Sequence, residues 1–447
     1  MSDTVCIESL DGQGRGVARF SGDGEAHGKV IFVEGALPRE IVRFVPLKKK
    51  KNWDVAKMTL LLRESPFRVL PRCPHFGVCG GCALQHVDAF TQIAIKQRIL
   101  EDNLWHIGRV TPRHILRPIM GPWWEYRTRA RLSVNHVPKK GGVLVGFHER
   151  RSRFVCDMRQ CAVLPRSVSD LLLPLRALLG ALSICGSIPQ IELAKGNADH
   201  TVMVLRIMKP LSDHDKDRLR QFADRYDVQW WLQTGGPDTA TLFYPEDRSL
   251  QYALPEFGIT IPFLPLDFTQ VNHHINAVLV SRVIHLLSPQ AGERVADLFC
   301  GLGNFSLPIA TRGSVVTGME GSAALTKRAV SAAMHNGLAK RTHFVTKDLF
   351  AVTAMDWAGT GKWDRVLLDP PRDGAEAVCR AVAELSTGVQ YALVPKRMVY
   401  VSCNPSTLAR DAAILVHEGG YTLTQAGIVN MFPHTSHVES VAVFERS

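Results

Sequence analysis

The sequence predicts a multidomain α/β protein with an N-terminal β-barrel at residues 1–66, a central α+β domain at 67–265 and a C-terminal doubly wound domain at 266–447. Three observations predict this division. Short β-branched runs separated by Gly and Pro fill the first part, a Cys/Gly/Pro-rich loop opens the second, and strands alternate with helices through the third. A chain of 447 residues also exceeds what one core usually supports.

The composition narrows the partners and the compartment. Lys and Arg number 53 against 42 Asp and Glu, a formal charge of +11, which favours an RNA, DNA or acidic membrane surface, with RNA or DNA first. Residues 1–8 are acidic and no apolar run is long enough to span a bilayer, so we expect no signal peptide and no membrane span. Ten cysteines in such a chain predict a cytoplasmic protein with reduced, metal-binding or catalytic thiols.

The first domain is predicted from the short apolar runs between Val5 and Arg63, which indicate a small β-barrel or sandwich. Two of its segments carry a resemblance. Residues 10–19 resemble the opening strand and turn of a TRAM domain, an OB-like RNA-binding barrel, and residues 33–38 resemble its next corner. An RNA-binding N-terminal domain is the expectation.

Two groups of basic residues are candidates for RNA contact. Lys48–Lys51 is predicted to lie on a barrel loop beside Trp53, which would pair phosphate-binding charge with a stacking ring. Arg127, Arg129 and Arg131 alternate as on one face of a strand. A solvated loop and an exposed strand face are the alternatives.

The central domain begins with a group of cysteines on one loop. Cys73, Cys79 and Cys82 follow the spacing Cys-x5-Cys-x2-Cys, and Cys161 is preferred to Cys156 as a distant fourth ligand. Four thiolates can hold zinc or an iron–sulfur cluster. Structural zinc more often shows two Cys-x2-Cys pairs, and only one is present here. The sequence therefore favours an iron–sulfur cluster.

The C-terminal domain carries a predicted cofactor pocket. A strand at 294–298 runs into a turn with Gly301 and Gly303, and the next strand ends at Glu320, placed to bind ribose hydroxyls. The third glycine of a dinucleotide-binding turn is absent, so S-adenosylmethionine is the preferred ligand of this Rossmann-like domain. Asp348 follows the third strand and is placed to accept from the adenine amino group, unless it is a helix cap or surface acid.

The next two strands end in residues suited to chemistry. The Asp-Pro-Pro sequence at 369–371 predicts a rigid loop, and Arg372 replaces the aromatic residue that amino-methylating enzymes place there. Cys403 follows a strand at 398–402, and Glu439 lies near the last strand. Carbon 5 of uracil becomes nucleophilic only after a nucleophile adds to carbon 6, and the carbon 5 proton must then pass to a base. In isolation, a buried apolar cysteine and a surface glutamate are the ordinary alternatives.

Together these motifs resemble the RNA m5U methyltransferase family over nearly the whole chain. The segments that carry the resemblance are 268–272, 297–305, 369–373, 402–405 and 434–439. The resemblance implies adenosylmethionine-dependent methylation of a uridine, with Cys403 as nucleophile and Glu439 as base. It also implies a set of cofactor-binding residues: Gln270, Phe299, Asn304, Glu320, Asp348 and Asp369.

The combination of features indicates a branch of that family. One branch ligates a 4Fe-4S cluster with the Cys-x5-Cys-x2-Cys loop and a distant cysteine. A chain with both barrel and cluster resembles the branch that modifies the uridine numbered 1939 in 23S ribosomal RNA, although another branch with both features modifies two 23S sites. The resemblance also implies that the segment 91–122, which overlaps an amphipathic helix predicted at 87–103, packs on the catalytic domain.

Several alternatives stay open at the level of sequence. We expect a monomer without an obligate protein partner. The target could instead be another ribosomal or transfer RNA uridine. Methylation of a purine amino group by the 369–371 loop would leave Cys403 dispensable, and a non-catalytic iron–sulfur RNA-binding protein would bind no adenosylmethionine.

Overall fold

A computed structural model describes residues 4–20, 28–197, 200–246, 248–387 and 391–446. The predicted first domain therefore includes two stretches, 1–3 and 21–27, that lie outside the described residues. The N-terminal part is one six-stranded sheet with the order β1-β5-β6-β4-β3-β2. Its strands are β1 (Thr4–Cys6), β2 (Ser9–Leu10), β3 (Gly16–Arg19), β4 (Val30–Glu34), β5 (Ile41–Lys49) and β6 (Trp53–Arg63).

This sheet encloses its own core. Its edge strands β1 and β2 are separated by only Ile7 and Glu8, so the two edges lie near each other and the sheet curls around an apolar interior. The interior is built from buried small and β-branched side chains and one aromatic ring: Val5, Ile7, Ala18, Ile31, Val33, Ala36, Val42, Ala56 and Phe44.

The predicted position of Lys48–Lys51 on a loop is wrong for its first half. Lys48 pairs with Val55 and Lys49 with Asp54, so both belong to the hairpin of β5 and β6. Backbone pairing extends beyond the core because each paired N–H and C=O is satisfied whatever side chain it carries. The connection itself is short, closed by the N–H of Lys50 donating to the Trp53 carbonyl at 3.0 Å.

The segment after the cysteine loop crosses to the C-terminal domain. Helix α1 (Ala89–Asn103) begins where the Asp88 carboxylate accepts from two backbone N–H groups, and it continues into a π-helical turn at Leu104–Gly108. Its buried face packs among side chains of the C-terminal core. A two-residue strand, β7 (His114–Ile115), then joins the edge of the C-terminal sheet.

The central part is a second six-stranded sheet with the order β13-β12-β11-β10-β8-β9. A separate hairpin, β14 with β15, follows it. The strands are β8 (Arg129–Val137), β9 (Gly142–Gly146), β10 (Gln190–Ala194), β11 (Thr201–Arg206), β12 (Val228–Gln233), β13 (Ala240–Tyr244), β14 (Leu250–Leu254) and β15 (Ile259–Phe263). The helices are α2 (Arg166–Ser169), α3 (Leu172–Ala181) and α4 (Asp213–Tyr226).

The C-terminal part is an eight-stranded sheet with the order β18-β17-β16-β19-β20-β22-β21-β7. Its strands are β16 (Arg294–Leu298), β17 (Val315–Glu320), β18 (Thr342–Thr346), β19 (Arg365–Leu368), β20 (Arg397–Ser402), β21 (Thr422–Val429) and β22 (Glu439–Glu445). Its helices are α5 (His273–Leu287), α6 (Ser306–Thr311), α7 (Ala323–His335), α8 (Ala354–Gly359), α9 (Glu376–Thr387) and α10 (Pro405–Ala413).

The predicted doubly wound core is confirmed. Strands β16 to β20 are parallel, and helices cover both faces. Alternation along β19 shows this directly, since Val366 and Leu368 enter the core on one face and Leu367 enters the core on the other. The carboxyl ends of these strands therefore meet at one edge, where open α/β sheets bind ligands. In the part of the chain described, no helix is long and apolar enough to cross a membrane.

Candidate active site

The turn after β16 lets a ligand approach the backbone closely. Phe299, Gly301 and Gly303 have left-handed φ angles of 64°, 55° and 87°. The N–H groups of Phe299 and Cys300 both donate to the Met319 carbonyl, at 2.8 and 3.1 Å, which ties the turn to β17. A non-glycine residue at φ 64° is uncommon and marks a backbone held in place by its surroundings. The predicted glycine turn therefore lies at the ligand-binding edge of the sheet.

Glu320 is held next to this turn at the end of β17. One carboxylate oxygen accepts from the Ser322 N–H at 2.9 Å and the other accepts from the Gly301 N–H at 3.2 Å. Each carboxylate oxygen has a second lone pair. The carboxylate is thus oriented by the backbone and keeps the capacity to accept from ribose hydroxyls.

Asn304 sits in a polar network that the sequence did not reveal. Its side-chain amide exchanges hydrogen bonds of 2.9 and 3.0 Å with Asn276, and its oxygen also accepts from the Tyr252 hydroxyl at 3.1 Å. Beneath the turn, Asp297 is fully buried and accepts from the Ser306 hydroxyl at 2.5 Å. Burial raises the pKa of Asp297 to about 7.

Two further predicted cofactor residues lie on loops. Gln270 is half-buried just before α5, and its loop is fixed by Thr128, whose N–H and hydroxyl donate to the Val271 carbonyl at 2.8 and 3.0 Å. Asp348 is exposed and accepts from the Phe350 N–H at 2.9 Å. That hydrogen bond shapes the turn after β18 and leaves the second carboxylate oxygen available.

The register of two antiparallel strands brings Cys403 and Glu439 together. Ser402, the last residue of β20, lies opposite Ser440 in β22. The ladder ends at this pair, Cys403 follows Ser402 and Glu439 precedes Ser440, and the Glu439 carboxylate is close enough to influence the Cys403 thiol. Cys403 is half-buried, whereas Glu439 is only 7% exposed. A thiol and a carboxylate 36 positions apart in the sequence thus share the edge of the sheet that carries the cofactor turn.

The ionisable groups around Cys403 are mostly carboxyl groups. Burial raises the pKa of the Cys403 thiol to about 12, and the carboxylates of Glu439 and Asp369 add to this effect while Arg372 opposes it. Burial, with Glu439 and Asp297 nearby, holds the pKa of Asp369 well above its usual range. Burial also raises the pKa of Glu439 to about 7. The thiol is therefore protonated in the free protein, and two carboxyl groups lie near enough to influence it.

The loop that precedes Glu439 is fixed by residues from the N-terminal half of the chain. The N–H of His434 donates to the Gln92 side chain at 2.9 Å, and the N–H groups of Ala83 and Leu84 both donate to the His434 carbonyl at 2.9 Å. Trp124 stacks on the His434 ring with centroids 3.8 Å apart. These contacts carry no signal in the sequence, because more than 300 residues separate the partners.

Four of the cysteines converge on one small cavity. Cys73, Cys79, Cys82 and Cys161 all line it, together with Arg127, Phe147 and Met158. Burial raises the pKa of Cys79 and of Cys161 to about 11 and that of Cys82 to about 12. Cys156, the alternative fourth ligand, does not line the cavity but lies close enough to Cys79 for a side-chain hydrogen bond. Across the described residues, no three Cys, His, Asp or Glu side chains are arranged as a metal site.

The three alternating arginines have different surroundings. Arg127 donates to the Arg129 carbonyl at 3.1 Å, and Arg129 donates to the Leu266 carbonyl at 2.9 Å, in the loop before α5. Arg131 pairs with Glu192 at 2.9 Å, but its side chain is 67% exposed. Arg129 thus stabilises a loop within the protein, and Arg131 is the arginine of the three whose side chain is most exposed to solvent.

Fold and site define a class. S-adenosylmethionine-dependent methyltransferases share a doubly wound sheet with a glycine turn after its first strand and an acid at the end of its second. Their reacting groups lie at the ends of the fourth and fifth strands, as Asp369 and Cys403 do here. The family model described as tRNA (Uracil-5-)-methyltransferase matches residues 356–447, the part that contains Asp369, Cys403 and Glu439.

Comparisons with known proteins give the family. A protein of Cupriavidus pinatubonensis named 23S rRNA (uracil(1939)-C(5))-methyltransferase RlmD is 59% identical, over 99% of this chain and 95% of that protein. A protein of Bordetella avium with the same name is 56% identical, over 100% of this chain and 91% of that protein. The chain therefore belongs to the RlmD family of RNA uracil-C5 methyltransferases.

A solved structure supports the fold independently. The crystal structure of Pyrococcus abyssi tRNA (uracil-54, C5)-methyltransferase in complex with S-adenosyl-L-homocysteine has a TM-score of 0.73 to this chain. The match covers 99% of this chain and 100% of that chain at 22% sequence identity, and it is therefore a likeness of fold.

Proposed function

We propose that this protein methylates carbon 5 of uridine 1939 in 23S ribosomal RNA, with S-adenosylmethionine as the methyl donor. The observation that carries the chemistry is that Cys403 and Glu439 adjoin Ser402 and Ser440, the pair at which the ladder of β20 and β22 ends, and that the Glu439 carboxylate influences the Cys403 thiol. The target follows from the family, whose full-length relatives are named for that uridine.

The cofactor is held by six residues around the carboxyl edge of the sheet. They are Gln270, Phe299, Asn304, Glu320, Asp348 and Asp369. The fit rests on the open backbone of the glycine turn and on the orientation of the Glu320 carboxylate. S-adenosylmethionine, when bound, supplies an electrophilic methyl group to this edge.

Cys403 begins the reaction as a neutral thiol. Its sulfur forms a bond to carbon 6 of the uracil, the electrons of the 5,6 double bond move toward carbon 5, and the thiol proton leaves to solvent, so Glu439 is free to accept a proton later. Carbon 5 becomes nucleophilic only in this adduct. The raised pKa of the thiol means that little thiolate is available before the RNA arrives, so an unoccupied site reacts slowly with other electrophiles.

Glu439 completes the reaction as a general base. After methylation, carbon 5 carries both a methyl group and a proton. The Glu439 carboxylate takes this proton, the electrons of the C–H bond re-form the 5,6 double bond, and the bond between carbon 6 and sulfur breaks to release Cys403. A base with a pKa of about 7 is suited to proton transfer at neutral pH.

The four cysteines that share a cavity are proposed to ligate a 4Fe-4S cluster. What supports this is the donor set itself, because four thiols share one cavity and burial raises the pKa of three of them, Cys79, Cys82 and Cys161, so that a metal would be needed to compensate their charge. The side chains must shift to reach ligand spacing. The role of the proposed cluster is structural, since Ala83 and Leu84, directly after Cys82, hold the loop that leads to Glu439.

The N-terminal sheet is proposed to be a TRAM-like RNA-binding barrel that grips RNA flanking the target. The target base must leave its stack to reach Cys403. The exposed hairpin of β5 and β6, with Lys48 and Lys49 at its end and Trp53 38% exposed, supplies charge and a stacking surface.

The direct test replaces the nucleophile. Cys403→Ala is expected to abolish 5-methyluridine formation in 23S RNA while the affinity for S-adenosylmethionine, measured by calorimetry, stays within about twofold of wild type. Cys379→Ala, at a fully buried cysteine of α9, is the control and should keep activity. Activity in Cys403→Ala would rule out the mechanism.

A further inference from the structure

Lys96 of α1 is a lysine whose surface is fully buried. Its ammonium donates to the Asn430 side-chain oxygen and to the Phe432 carbonyl, both at 2.8 Å. An ammonium carries three N–H donors, so one is left after these two hydrogen bonds. Lysine is rarely buried without a specific partner, because removing its charge from water is costly. A neutral side chain could fill the same volume with a smaller desolvation free energy.

The position of this ammonium relates it to the proposed base. Val429, the last residue of β21, pairs with Glu439, and Asn430 follows directly. The Lys96 ammonium therefore lies where β21 ends, next to the first residue of β22. Charge interactions agree with this placement, since burial lowers the pKa of Lys96 to about 7 while Glu439 opposes that change. Reciprocally, Lys96 is the leading influence that lowers the pKa of Glu439.

Other charged groups face the same space from neighbouring elements. Asp369 and Cys403 lie at the ends of β19 and β20, and each is either neutral or negatively charged, so neither supplies a positive charge. His434 and His437 lie in the loop before β22, and burial lowers the pKa of each to about 4, so they are neutral at pH 7. Arg372 is a second cation, but it is exposed at the rim of the site. Lys96 is thus the cation that faces Glu439 from within the protein.

We infer that Lys96 is a positioning residue for proton abstraction: its ammonium fixes the end of β21 against β22 and keeps the Glu439 carboxylate ionised until carbon 5 delivers its proton. The inference rests on the proposed role of Glu439 as base. When Glu439 accepts the proton it becomes neutral, and the proton then leaves Glu439 for solvent. Lys96 touches neither the uracil nor the cofactor in this scheme.

The alternative is that Lys96 only anchors the loop through its two hydrogen bonds. Two substitutions of Lys96 distinguish the effect of its hydrogen bonds on the loop from the effect of its positive charge on Glu439. Lys96→Gln keeps a side-chain N–H donor without the charge, and Lys96→Met removes both. Gln92→Leu is the matched control, since Gln92 lies one turn earlier on the same helix and anchors the same loop through His434 without carrying charge.

The test measures how fast methylated 23S RNA is released from the full-length protein in a single turnover between about pH 5.5 and 9.5. Removing a cation next to a carboxylate raises the pKa of that carboxylate, so both Lys96 variants should shift the acid limb of the profile upward by about one pH unit or more. At neutral pH the release rate should fall by about tenfold or more, and a methylated covalent RNA adduct should accumulate. Gln92→Leu should lower the rate without moving the limb.

A Lys96→Gln variant with the wild-type pH profile would overturn the inference, and so would a Lys96→Met variant whose acid limb stays in place. Failure of the proposed function gives a different result. In that case Glu439→Gln in an otherwise unchanged protein would release product at the wild-type rate and trap no adduct, whatever happens at Lys96.

Discussion

At the scale of single residues, Glu439 is the group whose loss gives the most informative defect. Glu439→Gln leaves the nucleophile in place but removes the base, so addition and methyl transfer proceed while release stops. We expect a covalent RNA–protein adduct that survives denaturing electrophoresis, with turnover reduced by about a hundredfold or more. Glu445→Gln, at the other end of the same strand, is the control and should release product normally. Wild-type turnover in Glu439→Gln would exclude this residue as the base.

The raised pKa of Glu439 sets an expected pH dependence. A base must be ionised, and burial places the pKa of Glu439 at about 7 rather than in the usual range of a glutamate. The rate of product release should therefore rise with pH up to about 7 to 8 and fall by about tenfold for each unit below the pKa. Release that is independent of pH between about 5.5 and 8 would contradict this assignment.

The sequence contains motifs for the proposed catalytic residues but none for the residues that hold them in place. Cys403 and Glu439 stand in short, specific motifs, so they could be proposed from sequence even though their proximity depends on the pairing of β20 with β22. Asn276 and Lys96 carry no motif of their own. Each acts on a residue in a distant part of the chain, Asn304 and Asn430 respectively, and such partners become visible only after folding.

At the scale of elements, hydrogen bonds from Ala83 and Leu84 to the His434 carbonyl join the cysteine loop to the loop before Glu439. The proposed cluster can be assigned by comparing two cysteines. Cys161→Ser should remove the visible absorption of an iron–sulfur cluster and lower the iron content, whereas Cys156→Ser should keep both, because Cys156 does not line the shared cavity. Loss of the cluster in Cys156→Ser and its retention in Cys161→Ser would reverse the assignment of the fourth ligand.

The elements themselves were predictable to different degrees. The parallel strands β16 to β20 alternate with helices, and β16, β19 and β20 each contain a buried apolar run, which gives a clear pattern. The boundary of the basic hairpin was not predicted, because Lys48 and Lys49 look like loop residues although their backbone is paired. The short strand β7 also escaped prediction, since two residues carry no periodic signal and its pairing with β21 spans most of the chain.

At the scale of the whole molecule, the net charge of +11 suggests that RNA binding depends strongly on salt. Replacing Lys48 and Lys49 with Ala should weaken binding to 23S RNA fragments. The slope of log affinity against log salt concentration should become shallower by about one to two, as expected for the loss of one or two phosphate contacts. Replacing Lys139 and Lys140 changes the charge equally on another domain and is the control. Equal slopes for both variants would remove the barrel hairpin from the RNA interface.

The measurement closest to the central claim maps 5-methyluridine in 23S ribosomal RNA taken from cells that lack this protein and then treated with the purified protein and S-adenosylmethionine. We expect 5-methyluridine to be absent at position 1939 before treatment, restored there by the wild-type protein, and still absent after treatment with Cys403→Ala. A methyl group at another position, or restoration at 1939 by Cys403→Ala, would contradict the account.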